Sequence, residues 1–205
     1  MGVERSDVLP NILTIGRIFL TPLFILWLFY EAPWSKVCAL GIFIIASITD
    51  AFDGHIARKR DLVTKAGEFL DPLADKILVI SAFLSFALLH KIPFWMVGLI
   101  VFRDLFVTGL RMLFLNNDIS LVTSKIAKAK TGVQVAAIIF VLSYLALKTL
   151  SFVDASQVII FIDTFNLIWV TVFSATIFSV YTGLHYLYVN RAAIASFVDN
   201  SSDDA

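Results

Sequence analysis

Residues 50–75 read DAFDGHIARKRDLVTKAGEFLDPLAD, and this stretch decides the fold because it sets carboxylates inside a very apolar chain. Asp50 and Asp53 are three residues apart, and Asp71 and Asp75 are four apart, so each pair falls on one face of a helix. One carboxylate deep in a bilayer costs roughly 2.5–3.5 kcal/mol, so four unbound carboxylates would cost about 10 kcal/mol. Divalent cations prefer oxygen ligands, and the stretch therefore predicts a metal site.

The composition of the whole chain is that of an integral membrane protein. Of the 205 residues, 59% are hydrophobic and only 16% are charged, whereas about a quarter of the residues in a soluble domain are charged. The formal net charge is zero, which gives no indication of a nucleic-acid partner. The length allows one membrane domain, which we place at residues 1–198, followed by a polar tail at 199–205 that we expect to be frayed.

The apolar segments predict an all-α fold of six transmembrane helices, each long enough to cross a bilayer. A short interfacial helix at about residues 9–14 is predicted before the first span, because Pro10 and polar residues occur there. Basic residues cluster at 58–65 and 125–130, which places both termini and the aspartates on the cytoplasmic side of the cell (inner) membrane. The predicted spans cover about residues 15–29, 34–53, 67–89, 93–114, 127–147 and 165–188.

The two aspartate pairs are predicted to face each other, since one ends the second span and the other begins the third. Four carboxylates on facing helices can hold two divalent ions, and two metals can clamp the attacking and leaving oxygens of a phosphoryl displacement. Two other interpretations stay open. The acids could pair with Arg58, Lys65 and Lys76, or they could mark the ion path of a divalent-cation transporter, for which acids spread through the membrane depth are expected.

The same stretch resembles the signature of the CDP-alcohol phosphotransferase family, which reads D-x-x-D-G-x-x-A-R, then eight residues, then G-x-x-x-D-x-x-x-D. The resemblance implies a six-helix membrane fold, a homodimer and two divalent ions, Mg²⁺ or Mn²⁺. It implies transfer of a substituted phosphoryl group from a CDP-linked donor to an alcohol, with release of CMP. The residues that fill the signature are Asp50, Asp53, Gly54, Ala57, Arg58, Gly67, Asp71 and Asp75.

The family resemblance also implies a role for each of these residues. Asp50, Asp53 and Asp71 would be metal ligands. Asp75 would be a further metal ligand and the base that takes the proton from the acceptor hydroxyl. The residues along the nucleotide would be Asp53, Gly54, Ala57, Arg58 and Gly67.

The acceptor is predicted to carry a phosphate of its own, held by basic residues in the second half of the chain. Arg103 and Arg111 are eight residues apart in the fourth span, so they return to nearly one helix face, and Asp104 would orient Arg103. Arginines inside a span need a partner, which favours a phosphate pocket. Lys125 and Lys130 open the fifth span, although lysines there could also mark the cytoplasmic side alone.

Three segments resemble the bacterial phosphatidylglycerophosphate synthase branch of the family. They read PNILTIGR at residues 10–17, FLDPLADK at 69–76 and RDLFVTGLR at 103–111. That branch uses CDP-diacylglycerol as donor and sn-glycerol 3-phosphate as acceptor. Membrane lipids surround the protein and are its other partners. The resemblance implies that Asn11, Thr14 and Arg17 lie near the nucleotide or the lipid pyrophosphate, although they could instead cap the first span. Inositol phosphate, serine and phosphatidylglycerol are the alternative acceptors.

Overall fold

This computed structural model describes the backbone of residues 9–56, 65–115, 117, 121, 125–150 and 155–203, and side chains at residues 16, 19–49, 76–115, 117, 121, 129–150 and 155–197. Within these ranges the chain forms eight α-helices and no β-strand, so the predicted all-α class is confirmed. The helices are α1 (Leu9–Phe29), α2 (Ser35–Ile56), α3 (Lys65–Leu88), α4 (Phe94–Leu115), α5 (Lys125–Thr149), α6 (Ser156–Thr164), α7 (Leu167–Val189) and α8 (Arg191–Asp203).

Six of these helices are long, and they overlap the six predicted spans. Helices α1 to α5 and α7 have 21 to 25 residues each. At about 1.5 Å per residue, such a helix matches a hydrocarbon core of about 30 Å. In the described part of the chain, two segments are both long and apolar enough to cross a membrane, Ala129–Thr149 of α5 and Leu167–Val189 of α7. The described part of the chain is therefore all-helical, and two of its helices could cross a membrane by length and composition.

Three helix boundaries differ from the prediction. Residues 9–14 are the first turns of α1 and not a separate interfacial helix, because Pro10 falls in the first turn, where a helix tolerates proline. A short extra helix, α6, precedes α7, and the helix breaks at Asn166, whose φ of 48° is left-handed. Helix α8 runs to Asp203, so the backbone of residues 199–203 is helical where a frayed tail was predicted.

Helices α1, α2, α3 and α5 pack into the centre of the described structure. Helices α1 and α5 each contact both α2 and α3. Phe24 of α1 and Phe43 of α2 are fully buried, with ring centroids 5.7 Å apart. Lipid chains are as apolar as these side chains, so close packing is what holds such helices together. The four-helix contact fixes the end of α2 relative to the beginning of α3.

Helices α4 and α7 complete the arrangement and bring polar residues to one end of it. Helix α4 contacts α3 and α7, and α7 also contacts α5. The first described side chain of α3, Lys76, reaches the middle of α4. Lys130, near the start of α5, also reaches α4, and α4 in turn reaches the second half of α7 at Thr182. The end of α2 and the starts of α3 and α5 therefore lie on the same side.

Candidate functional site

The aspartate signature lies on the backbone of two helices whose ends face the same side. Asp50 and Asp53 belong to the last turns of α2, and Asp71 and Asp75 to the first half of α3. Their side chains lie outside the described residues. Four carboxylates are hard oxygen donors, so this set of residues suits Mg²⁺ or Mn²⁺ and not a soft metal. Among the side chains that the structure describes, no three His, Cys, Asp or Glu residues come together as a metal site.

The remaining residues implied for the nucleotide are described only in part. Gly54 lies in the last turn of α2 and Gly67 in the first turn of α3. Ala57 and Arg58 lie outside the described residues.

The N-terminal segment belongs to a helix that contacts both halves of the signature. The backbone of Asn11, Thr14 and Arg17 belongs to the first half of α1, while their side chains lie outside the described part. Helix α1 packs against α2 and α3. Only five residues, 30–34, join α1 to α2, so these two helices are antiparallel and the start of α1 lies at the same end as Asp50.

Asp104 is the centre of a buried ion cluster that joins α4 to α5. Its side chain is nearly inaccessible, with the residue 2% exposed. Lys130 of α5 donates to Asp104 Oδ1, and Arg103 Nη1 donates to the same oxygen at 3.2 Å. Gln134, one turn after Lys130, places its Nε2 at 3.5 Å from Oδ2. The predicted orientation of Arg103 by Asp104 is thus present in the structure.

Arg103 continues from Asp104 to α7. Its Nη2 donates to Thr182 Oγ1 at 3.1 Å. The Arg103 side chain lies so close to α7 that a Cβ on Gly183 would come within 2.9 Å of Arg103 Cγ. Thr182 in turn donates to the carbonyl of Ser179 at 2.8 Å. The absence of a side chain at Gly183 therefore makes space for the Arg103 side chain.

Lys76 connects the signature to this cluster. It directly follows Asp75, and its Nζ donates to the Asp104 carbonyl at 2.9 Å and to the Thr108 hydroxyl. The sequence left open that Lys76 neutralises the signature acids. Its ammonium contacts α4, and because the side chains of the signature acids lie outside the described residues, that interpretation stays a hypothesis.

Arg111 is the most exposed of the predicted phosphate ligands that the structure describes. It lies close enough to interact electrostatically with Lys76 and with Tyr186 of α7, and Arg103 acts on the same two residues. The two arginines therefore share one region, as their spacing predicted. Lys125 is the first residue of α5, but its side chain lies outside the described part.

The described side chains of this cluster include more cations than carboxylates. Among the described side chains, Lys76, Arg103, Arg111 and Lys130 act together there with a single carboxylate, Asp104. Buried charges interact strongly and are weakly screened by salt. Guanidinium and ammonium groups that lie this close together are suited to a phosphate.

Sequence reasoning missed the contribution of α7 to this site. Thr176, Ser179, Thr182 and Tyr186 are spaced by three or four residues and are all buried. A polar stripe at helical spacing in an apolar span is a readable signal. Gln134 was missed because a lone glutamine in a span gives no such pattern. Gly183 could only be understood once Arg103 was seen beside it.

Comparison with known proteins identifies what this arrangement resembles. The family profile described as CDP-alcohol phosphatidyltransferase matches residues 7–180. A Bacillus subtilis protein named CDP-diacylglycerol–glycerol-3-phosphate 3-phosphatidyltransferase is 35% identical over 91% of this chain and 96% of its own. A Rickettsia bellii protein of the same name is 40% identical over 66% of this chain and 75% of its own. A Mycobacterium tuberculosis protein named probable phosphatidylglycerophosphate synthase is 42% identical over 69% of each chain.

Proposed function

This chain belongs to the CDP-alcohol phosphatidyltransferase family, and we propose that it transfers the phosphatidyl group from CDP-diacylglycerol to sn-glycerol 3-phosphate. The products are phosphatidylglycerol phosphate and CMP. The observation that carries this conclusion is the match of nearly the full chain to a protein named for that reaction. The buried cation cluster agrees with it, because the acceptor carries a phosphate.

The acceptor phosphate binds the cluster on α4 and α5 in this proposal. Arg103 and Lys130 supply the buried positive charge, and Arg111 supplies charge at the exposed edge. Lys125 is assigned to the same pocket from its place at the start of α5. Asp104 holds Arg103 and Lys130 together, so their donors are arranged before the acceptor arrives. Such preorganisation reduces the entropy that binding must overcome.

In this proposal the signature aspartates would hold the metal ions, and one of them would accept the proton. Asp50, Asp53, Asp71 and Asp75 would bind two divalent ions, Mg²⁺ or Mn²⁺, which stabilise charge on the phosphate oxygens and on the leaving group. Asp75 accepts the proton of the acceptor 1-hydroxyl. That oxygen forms a bond to the phosphorus that carries diacylglycerol, and the bond from this phosphorus to CMP breaks.

The link between acceptor and base is Lys76. Asp75 precedes Lys76 directly in α3, and the Lys76 ammonium is part of the cation cluster. When the cluster holds the phosphate of the acceptor, the 1-hydroxyl at the other end of the three-carbon acceptor lies near α3. Asn11, Thr14 and Arg17 of α1, with Gly54, Ala57, Arg58 and Gly67, are assigned to the cytidine nucleotide and the lipid pyrophosphate.

We further infer that α1 to α5 and α7 all cross the membrane as a six-helix domain, residues 1–198. The support is their length and the basic residues that cluster at one end. Both termini and the site then face the cytoplasm. The protein acts as a homodimer in the cell (inner) membrane. Helix α6 has only 9 residues, which is too short for a span. Because it joins the end of α5 to the start of α7, it lies on the surface opposite the site.

An acceptor competition assay tests the proposed function. The purified protein in detergent receives CDP-diacylglycerol, Mg²⁺ or Mn²⁺, and equal amounts of glycerol 3-phosphate, inositol phosphate, serine and phosphatidylglycerol. We expect phosphatidylglycerol phosphate to dominate the products. A different dominant product would show that another compound is the acceptor. Metal flux into liposomes without any lipid product would support a cation transporter instead.

A further inference from the structure

Two buried tyrosines of this chain have opposite hydrogen-bonding states. Tyr144 of α5 is 2% exposed, and its hydroxyl donates to Asp163 Oδ1 at 2.7 Å. Tyr186 of α7 is 4% exposed, yet its hydroxyl has no partner among the residues that the structure describes. Most buried hydroxyls are paired, so an unpaired one calls for an explanation.

Within the described structure, two further unpaired polar groups, Ser179 Oγ and Arg103 Nε, lie on or against the same face of α7. The Nε of Arg103 is buried and also has no partner within the described part of the chain. This nitrogen lies 3.3 Å from the place that a Cβ on Gly183 would take, and the neighbouring Nη2 is fixed on Thr182. Thr182 and Tyr186 are one helical turn apart. The arginine therefore lies along the turn that leads to Tyr186.

Among the described side chains, cations outnumber carboxylates around the two donors, Arg103 Nε and the Tyr186 hydroxyl. Arg103 and Arg111 both act electrostatically on Tyr186. The carboxylate of this region, Asp104, already accepts from Arg103 Nη1 and Lys130 at one oxygen and faces Gln134 at the other. A buried N–H and a buried O–H in positive surroundings are suited to one kind of partner, an anionic oxygen.

We propose that Tyr186 is a further acceptor-binding residue, whose hydroxyl donates together with Arg103 Nε to a phosphate oxygen of the acceptor. This assignment rests on the proposed function, because it takes glycerol 3-phosphate as the ligand. It adds α7 to the helices that form the phosphate subsite. It also gives a role to the Tyr186 hydroxyl, at a position where phenylalanine would fill nearly the same volume.

The test compares two changes that each remove one hydroxyl, Tyr186→Phe and Tyr144→Phe. The full-length protein in detergent micelles is assayed for its KM for glycerol 3-phosphate, its KM for CDP-diacylglycerol and its Tm. Inhibition by inorganic phosphate is measured as well, since phosphate alone should occupy the same subsite.

The two variants should give opposite results. Tyr186→Phe should raise the KM for glycerol 3-phosphate and the inhibition constant of phosphate about tenfold, as expected for a lost hydrogen bond to a charged group. Its KM for CDP-diacylglycerol should stay within about twofold of the wild type, and its Tm should be unchanged or higher because an unpaired hydroxyl is gone. Tyr144→Phe should lower the Tm and leave both KM values unchanged.

Two results would overturn the assignment of Tyr186. One is a wild-type KM for glycerol 3-phosphate in Tyr186→Phe. The other is a loss of Tm as large as that of Tyr144→Phe, which would show that the hydroxyl is already paired in the free protein. The failure of the proposed function is distinct, since the wild type itself would then make no product from glycerol 3-phosphate.

Discussion

Replacing Asp104 by asparagine tests the buried ion cluster most sharply. Asp104 is 2% and Lys130 5% exposed, so the change leaves a buried ammonium without its counter-charge. Removing one partner of a buried pair costs about 3–5 kcal/mol. The amide oxygen of asparagine still accepts hydrogen bonds, which places the expected loss near the lower end, about 3 kcal/mol. For a protein of this size, that loss corresponds to a Tm lower by about 6–12 °C.

The same change should affect the two substrates differently. Arg103 and Lys130 lose the negative charge that they share, and a neutral amide oxygen holds these donors of the phosphate subsite more weakly than the carboxylate does. We expect the KM for glycerol 3-phosphate to rise about tenfold or more, from the loss of about 1.5–3 kcal/mol at a charge-assisted contact. The KM for CDP-diacylglycerol should change little.

Asp163→Asn is the matched control for Asp104→Asn. The Asp163 side chain is 50% exposed, and its ion pair with Lys148 spans 4.0 Å. Its Oδ1 also accepts a hydrogen bond from Tyr144 at 2.7 Å, which an asparagine oxygen can still accept. Exposed pairs contribute only about 0.2–1 kcal/mol, so the Tm of this variant should fall by a few degrees at most. The reasoning is refuted if the two variants lose Tm equally. A lower KM for glycerol 3-phosphate in Asp104→Asn would also contradict it, because Asp104 would then compete with the phosphate.

Three further changes probe other parts of the site. Gly183→Ala should raise the KM for glycerol 3-phosphate severalfold, because the new Cβ would lie 2.9 Å from Arg103 Cγ, whereas Gly98→Ala, with nothing within 4 Å, should keep wild-type kinetics. Arg111→Ala should raise that KM far more than the KM for CDP-diacylglycerol; an equal effect on both would argue against the pocket. Asp75→Asn should lower kcat by about 10²–10⁴-fold, the usual contribution of a general base, and full turnover in steady-state assays would remove that role.

The helices were predictable because long apolar segments in a charge-poor chain have few alternatives. The aspartate spacing also identified the family, since each defined position of the signature is a local feature of sequence. Helix breaks were less predictable. Helix α6 was not predicted, because nine residues are too few for a span, although Asn166 just after its end is a residue type that adopts the left-handed conformation.

The site was predictable where charge stands out and hidden where a contact depends on packing. The sequence indicated Arg103, Arg111 and Lys130 as candidate phosphate ligands because charged residues are rare in apolar helices and usually have a partner. Gly183 and Tyr186 were not found, because their meaning depends on which face of α7 meets Arg103. Lys76 was considered only as a partner of the nearby acids, and its contact with the next helix was not predicted. Tertiary contacts of this kind are not encoded in local spacing.

The most direct measurement of the central claim is the transfer reaction itself in liposomes. Purified protein, CDP-diacylglycerol, Mg²⁺ and labelled glycerol 3-phosphate should give labelled phosphatidylglycerol phosphate and one CMP for each lipid formed. Absence of labelled lipid with both Mg²⁺ and Mn²⁺, from a folded protein, would contradict the account.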